Sequence, residues 1–500
     1  MSKTDSFILE LPLKTSPKQE RVLLKRFEAA RQVYNACLGE AMKRVRLLKQ
    51  SRAYRQALKL PKGKAGKTAM PLQREQHRAR IDAFYHAREI IGFRKYDLMN
   101  WATRFTHSWL RDHIASQEVK ALVRRAFGAT ERWLYGTDKQ CKKGKCTKKK
   151  KNCTVCGKPK FKRYGEIHSV ENITNLQGLR WRASGQYVQW RDLKICAMID
   201  PFNPVQTHGL SQPVKYIRIV RRVIKGRNRF YVQLVLAGKP MQRTPINEGA
   251  EVGLDLGPST IAIVSEGKAL LREFCIQVDD ASKEIRCLQR KLDRQRRANN
   301  PDCYDVMGSA IKGKHPKNKS KRMIKTEVVL QETQRRQAEH RKSLQGQLVN
   351  LILSLGNVIK TEKLSYRAWQ KQWGKSIGKH APGMFMQMLR RKAKNTGGAV
   401  VEFSAYQNRL SQFDHVTGEV KKKPLSQRWH YFEDGTKIQR DLYSAFLALC
   451  VDADSNILDA DRANELWSSV GPLLLAAFQE AIQFAKSQGH TPACFGTSQS

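Results

Sequence analysis

The sequence predicts a multidomain α/β protein, and three stretches of pattern predict it. As far as residue 135 apolar residues recur at helical spacing; residues 165 to 249 read as short strands split by turns; from Glu251 strands alternate with long helices. A chain of 500 residues with a 40% hydrophobic fraction has room for roughly two to four domains, each with its own core.

Residues 6 to 13 (SFILELPL) are apolar and short enough for a strand. Ser16-Pro17-Lys18-Gln19 then offers an N-cap, a proline at the first helical position and a glutamine at N3, so a helix starts there. Leu23, Phe27, Ala30, Tyr34, Cys37 and Ala41 give it an apolar face, and Lys25, Arg26, Arg31, Lys43 and Arg44 predict a basic solvent face. A Lys/Gly-rich break from Leu60 to Ala69 separates it from a second helical region over 73 to 135, and together these form a helical lobe. After a Lys-rich, Cys-containing insert over 138 to 163, the stretches GEIHSVENI, LRWRASGQYVQW, VKYIRIVRRVI and RFYVQLVLAG read as strands, the last two joined by a hairpin turn at Lys225-Gly226-Arg227-Asn228. This predicts a barrel-like β module. From Glu251 the strands EVGLDLG, STIAIVSE and ALLREFCIQ precede basic helices over 280 to 298 and 320 to 354, then strand NVIKTEKLS, a helix over 381 to 394, strand AVVEFSAY and helix IQRDLYSAFLALCV. An RNase H-like domain requires this order, with its first three strands antiparallel and the later ones reached through helices.

Three separated carboxylates stand out on that framework. Asp255 sits among apolar residues in VGLDLG, Glu362 near the end of NVIKTEKLS, and Asp441 at the start of a helix whose Leu442, Ala445, Phe446, Leu449 and Cys450 make one apolar face. Singly, each has a plain structural reading: a turn or cap residue, an exposed strand-end acid, an acid favoured by the helix dipole. An RNase H-like topology, however, brings the first strand, the fourth strand and the last helix to one place. Three carboxylates there suit Mg²⁺ or Mn²⁺, and two such ions about 3.5 to 4 Å apart would serve phosphodiester hydrolysis. No Ser/His/Asp set or Gly-rich phosphate loop competes in this region.

VGLDLGPSTIAIV, KTEKLSY and QRDLYSAFLA resemble the three RuvC motifs of transposon-encoded TnpB nucleases and the compact type V CRISPR effectors. FILELPLKTSPKQE with VYNACL resembles that family's N-terminal opening, and KPKFKRYGEIHSV with LRWR its wedge-type barrel, so the resemblance covers nearly the whole chain. It implies that Asp255, Glu362 and Asp441 are the catalytic, metal-binding acids of an RNA-guided DNA endonuclease. It implies, too, a guide RNA held between helical lobe, barrel and nuclease core, and a double-stranded DNA target cut beside a short recognition motif. The domains so implied are a first wedge strand (1–15), a helical recognition lobe (16–135), a four-cysteine insert (136–164), the rest of the wedge-type β-barrel (165–249), a RuvC-like nuclease (250–407 and 437–486) interrupted by a degenerate zinc ribbon (408–436), and a tail (487–500). Two other classes remain open: a nuclease-silent RNA-guided repressor, which loss of one acid would favour, and a transposase, which needs its own helix-turn-helix or similar module. All three acids are present and no clear helix-turn-helix is seen.

Cys141, Cys146, Cys153 and Cys156 form C-x4-C-x6-C-x2-C, followed by Gly157 in the manner of a zinc knuckle. Four thiolates suit a structural Zn²⁺; the alternative is a Lys-rich loop with incidental thiols. Where the resembled family carries a second four-cysteine ribbon, Asp414, Thr417, Phe432 and Asp434 stand here instead, so that site is gone. His415, His430 and nearby carboxylates leave weak metal binding as the alternative.

Against 44 Asp+Glu, 93 Lys+Arg leave a formal charge of +49, which calls for a polyanionic partner. No apolar run reaches the ~18 residues of a spanning helix, and MSKTDSFILELPLK lacks a signal peptide's long apolar stretch. The expectation is a cytoplasmic, nucleoid-associated prokaryotic protein with no membrane partner and no small-molecule substrate. Eleven Cys, an odd count, do not make a secreted disulfide framework. Lys291, Arg294, Arg296, Arg297, Arg335 and Arg336 on the basic helices are candidates for duplex phosphate. Lys160, Lys162, Arg163, Arg180 and Arg182 form a second candidate cluster, interleaved with Phe161, Tyr164 and Trp181. Those rings either stack on unpaired bases or belong to the barrel core.

Overall fold

The computed structural model describes residues 5–63, 70–135, 157–242, 245–278, 281–424, 427–489, 492 and 495–496. The chain divides into two compact units, Met1–Met241 and Gln242–Ser500.

In the first unit β1 (Ser6–Pro12) leads to α1 (Pro17–Gln50) through the expected capping box: Gln19 N donates to Ser16 Oγ at 3.3 Å and Ser16 N to Gln19 Oε1 at 2.9 Å. Ser51 ends α1 and caps α2 (Arg52–Lys59), and α3 (Pro71–Ile90), α4 (Lys95–Ala102), two 3-10 turns and α5 (Ser116–Tyr135) complete the helices. α1 packs along α5, burying Leu23, Phe27, Val33 and Leu38 with Leu122, Val123 and Phe127. Arg26, expected on the solvent face, is only 2% exposed. Its guanidinium donates to the Trp190 carbonyl and pairs with Asp192 at 2.5 Å, so the long side chain crosses to a strand that helical periodicity does not see.

The strands β2 (Ser169–Glu171), β3 (Leu179–Arg182), β4 (Tyr187–Trp190) and β5 (Leu193–Cys196) precede a short helix α6 (Pro204–Leu210) and the long hairpin β6 (Val214–Ile224) and β7 (Arg227–Ala237). One sheet runs β1-β7-β6-β2 and a second runs β3-β4-β5, all antiparallel. The β6–β7 turn is shorter than expected: Arg227 and Asn228 already pair with Ile224 and Val223. Lys225 (φ 49°) and Gly226 (φ 74°) suffice, because two left-handed residues match the twist of the flanking strands. Among the described residues the strands do not close into a barrel. The two sheets meet through an isolated bridge, Leu13 to Ala197, and through Asn172 Nδ2, which donates to the Gln177 and Leu179 carbonyls. GEIHSVENI yields only the three residues of β2.

In the second unit β8 (Glu251–Leu256), β9 (Thr260–Ser265) and β10 (Lys268–Glu273) precede the basic helices α7 (Ser282–Asn299) and α8 (Lys321–Leu355). Then come β11 (Val358–Glu362), α9 (Tyr366–Gln372), α10 (Gly374–His380), α11 (Pro382–Asn395), β12 (Ala399–Phe403) and α12 (Ala405–Asn408). The chain closes with β13 (Trp429–Tyr431), β14 (Lys437–Gln439), α13 (Arg440–Leu449) and α14 (Ala460–Ser487). The five-stranded sheet runs β10-β9-β8-β11-β12, antiparallel from β8 to β10 and parallel across β8, β11 and β12, as the order of elements requires. Val252, Leu254, Leu256, Ile261 and Ile263 bury one face with α8 and α11, while Ala262 and Val264 bury the other with α13 and α14. Among the described residues no helix is long and apolar enough to cross a membrane, and Cys37, Cys196, Cys275, Cys287, Cys303 and Cys450 are free thiols.

Candidate active site

Side chains alternate faces along a strand. Leu254 and Leu256 point toward α8 and α11, so Asp255 and Gly253 point toward α13. On the neighbouring strand Thr361 pairs with Leu254, which sets Glu362 level with Asp255, and Lys360, on Glu362's face, reaches α13. Asp441 lies in the first turn of α13. Three elements remote in sequence thus carry their acids to one face of one sheet.

Two residues hold α13 there. An added Cβ on Gly253 would stand 2.0 Å from the Ala445 carbonyl oxygen and 2.5 Å from Leu449 N, so only glycine lets the helix backbone lie on β8. Lys360, 1% exposed, donates from Nζ to the Leu449 carbonyl at 3.1 Å and pairs with Glu251 at 2.8 Å, neutralising the helix C-terminus.

Asp255 keeps a partly open surface, yet its carboxyl is enclosed by protein and its pKa is pushed well above the usual carboxylate range. Burial is the first cause; the charges of Asp441 and Glu362 add to it, and Arg440 opposes it. Burial also raises Glu362. Thr260 Oγ1 donates to Asp441 Oδ2 at 3.1 Å, and Arg440 Nε stands 3.9 Å from Oδ1. The carboxyl groups of Asp255 and Glu362 form no hydrogen bond or ion pair with any described residue. Arg440 is thus the cation beside an acidic cluster inside a chain of charge +49, and hard carboxylate oxygens would suit a divalent cation. Among the described residues no group of three or more His, Cys, Asp or Glu is placed so as to hold a metal ion.

Sequence reasoning missed the supports of this site. Gly253, a bare position in an apolar strand, was the available signal. Ser376 Oγ donates to the Pro258 carbonyl at 2.7 Å and His380 Nδ1 lies 3.1 Å from the same oxygen, so α10 grips the β8–β9 turn between Asp255 and Thr260. Nothing local in the sequence marks that pair.

The segment between β12 and α13 contains no metal cluster among its described residues. His430 Nε2 stands 3.1 Å from Asp414 Oδ2 with Lys423 at Nδ1, and His415 Nδ1 is 2.8 Å from the Tyr443 hydroxyl. Phe432, Phe446 and Trp467 pack around them. The histidines put forward as weak metal ligands are therefore packed in an aromatic core, His430 with both ring nitrogens partnered and His415 with Nε2 unpartnered among the described residues. Cys141, Cys146, Cys153 and Cys156 lie outside the described residues.

The basic candidates divide. Lys291 and Arg294 are exposed on α7 and Arg296 is half-buried, whereas Arg297 pairs with Asp293 at 2.6 Å, and Arg335 and Arg336 both pair with Glu332 at 2.8 and 3.1 Å. Such intrahelical pairs partly neutralise those three. Lys160 and Arg163 are exposed and Lys162 half-buried; Arg180 and Arg182 both donate to Gln189 Oε1, at 3.2 and 2.9 Å. Trp181, 5% exposed, belongs to the core, while Phe161 and Tyr164 are 54% and 81% exposed and stay open to a ligand.

No family model and no curated protein matches the chain. Among solved structures it is similar to a chain of the Cas12f1–sgRNA–target DNA complex, at 10% identity and a TM-score of 0.40, covering 88% of this chain and 98% of that one. It is similar also to a chain of a CRISPR–Cas12f ternary complex, at 11% identity and a TM-score of 0.25, covering 86% of this chain and 81% of that one.

Proposed function

We propose that this chain is an RNA-guided DNA endonuclease whose second unit is an RNase H-like, RuvC-type core that hydrolyses phosphodiester bonds. One observation carries the reading: Asp255, Glu362 and Asp441 issue from the second unit's first strand, its fourth strand and helix α13 onto one face, where Asp255 carries the charge repulsion of the other two. Guide RNA and a double-stranded DNA target beside a short recognition motif are the partners that the motif resemblance supports.

The three carboxylates would hold Mg²⁺ or Mn²⁺, and a pair of such ions would polarise the scissile phosphate and supply an activated water. Asp255 holds its proton more tightly than an isolated carboxyl, so metal loading requires its release, and loading improves as pH rises. Thr260 fixes the Asp441 carboxylate from one oxygen, while Lys360 and Gly253 fix the helix that bears it. Cys141, Cys146, Cys153 and Cys156 are proposed as a separate structural Zn²⁺ site.

Asp255→Ala, Glu362→Gln and Asp441→Ala should each lower cleavage of a guided target by roughly 10³-fold or more, while RNA-dependent DNA binding stays near wild type, since recognition lies in pairing and phosphate contacts. Cleavage should fail in chelator. Wild-type cutting by Asp255→Ala, with contaminating nuclease excluded, would overturn the active site. A wild type that binds but never cuts would replace the nuclease with a silent RNA-guided repressor.

A further inference from the structure

The segment between β12 and α13 meets the start of α13 at Arg440, which is 9% exposed and precedes Asp441. The Arg440 backbone N–H donates to the Arg428 carbonyl at 2.8 Å, and its Nη1 donates to the Gln427 carbonyl at 2.9 Å and the Pro424 carbonyl at 3.3 Å. These three carbonyls aim the guanidinium, whose Nε stands 3.9 Å from Asp441 Oδ1. Arg440 is also the cation that opposes the raised proton affinity of Asp255. Where Pro424 and Gln427 lie therefore decides where positive charge lies beside the acids.

A chain of side chains fastens those two residues. Gln427 N donates to the Pro424 carbonyl at 3.1 Å, so the two carbonyls are tied together. Lys423, next to Pro424, puts its ammonium on His430 Nδ1, and His430 Nε2 stands 3.1 Å from Asp414 Oδ2. An ammonium has donors only and needs a neutral imidazole to accept; burial first, and then Lys423 itself, push the His430 pKa down to about 4 and keep the ring neutral. His430, 2% exposed, is fixed on α13 by stacking on Tyr443 at 4.2 Å, with Phe432 at 4.5 Å. Asp414 is anchored in turn, its Oδ1 accepting from Val416 N at 2.9 Å. Burial lowers the Lys423 pKa as well, so its charge is kept from water at a cost that an ordinary loop lysine avoids.

We propose that Lys423 and His430 are positioning residues for the acid cluster. Asp414, His430 and Lys423 form a tether that holds the Pro424 and Gln427 carbonyls on Arg440, and Arg440 sets the charge beside Asp441 and Asp255. The tether acts through Arg440 and takes no part in the chemistry itself. The inference rests on the proposed nuclease for its rate measurement, but the structural hold is measured without it.

The first measurement is hydrogen–deuterium exchange of the full chain in EDTA, read by mass spectrometry. Lys423→Met keeps the aliphatic stem and removes the ammonium; it should speed exchange in the first turn of α13 about tenfold, while β8 and β11 keep wild-type protection. Unchanged protection in that turn, or protection lost throughout the second unit, overturns the tether. The second is Mg²⁺-dependent cleavage of a guided target. Lys423→Met and Arg440→Met should each lower turnover about tenfold with KM for the target unchanged, and the double variant should be no slower than Arg440→Met alone, because one acts through the other. Losses that multiply in the double variant overturn the tether and leave the nuclease standing. Lys423→Arg still donates to His430 and should restore both readouts; a variant as impaired as Lys423→Met would show that the bond to His430 is not what matters. Should Lys423→Met fail to fold, His430→Phe, which keeps the stacking on Tyr443, takes its place with the same outcomes. A wild-type chain that cuts no target ends the nuclease reading, and the exchange measurement still decides the tether.

Discussion

Gly253 shows how one residue sets the site. Both atoms that an added Cβ would strike belong to the backbone of α13, so neither a rotamer change nor a flexible side chain can yield. Gly253→Ala should therefore push α13 off β8, at a cost of about 3 kcal/mol in stability, and should lower cleavage further than RNA binding because Asp441 moves with the helix. A variant with wild-type Tm and wild-type cleavage would show that the helix does not depend on this contact. At this scale Asp255 was legible, since a carboxylate among apolar residues is conspicuous, whereas Glu362 and Asp441 stood out only through the order of elements that carries them. Lys360 was not: in NVIKTEKLS it reads as an ordinary alternating strand residue, and only the tertiary meeting with Glu251 and the Leu449 carbonyl makes it a buried pin. Arg26 was misread for the same reason, because its partners are more than 160 residues away.

Among elements, local pattern located strands and helices well, since amphipathic periodicity and capping are properties of neighbouring residues. Barrel closure was not legible, because it depends on register between strands distant in sequence, and the two sheets here stay separate, joined at an isolated bridge, by backbone hydrogen bonds such as Lys14 N to the Cys196 carbonyl, and by the Asn172 side chain. The segment preceding α13 is a further case: lacking thiolates, it is held by rings. His430 stacks on Tyr443 at 4.2 Å, and His415 packs on Trp467 at 4.7 Å. Burial first, and then the neighbouring Lys423, push His430 from 6.5 down to about 4. Neutral His430 then accepts from Lys423 at Nδ1 and donates from Nε2 to Asp414. The unfolded segment binds the proton more readily than the folded one, so this contribution is fully present above pH 6.5 and is lost as pH falls from 6.5 toward about 4. Up to roughly 3 kcal/mol is at stake. Tryptophan fluorescence, reporting Trp429 and Trp467, should show the segment loosening across that window, and His430→Phe should flatten the profile. A wild-type signal constant down to pH 4 would refute the coupling.

For the molecule as a whole, the charge of +49 is the property most plainly legible, and its consequence is a polyanion carried through purification. Each phosphate neutralised releases a counterion, so affinity should fall steeply and linearly on a log–log salt scale. The same preparation tests the four-cysteine insert. Salt strips ions and nucleic acid held by charge, but a tetrahedral thiolate site holds its metal through coordinate bonds. Purified chain should therefore release RNA in a high-salt wash, with one scaffold sequence enriched over cellular background, and then retain about one zinc per chain. Cys153→Ser with Cys156→Ser should remove the zinc and leave Mg²⁺-dependent chemistry to be read separately, because Asp255, Glu362 and Asp441 belong to the other unit. RNA of random sequence would make the chain a general nucleic-acid binder and remove the guide from the proposed function. Zinc unchanged in the double variant would move the metal to other ligands. If both fail while the three acids still prove essential for cutting, what survives is an unguided metal-dependent nuclease, because the carboxylate cluster owes nothing to either feature.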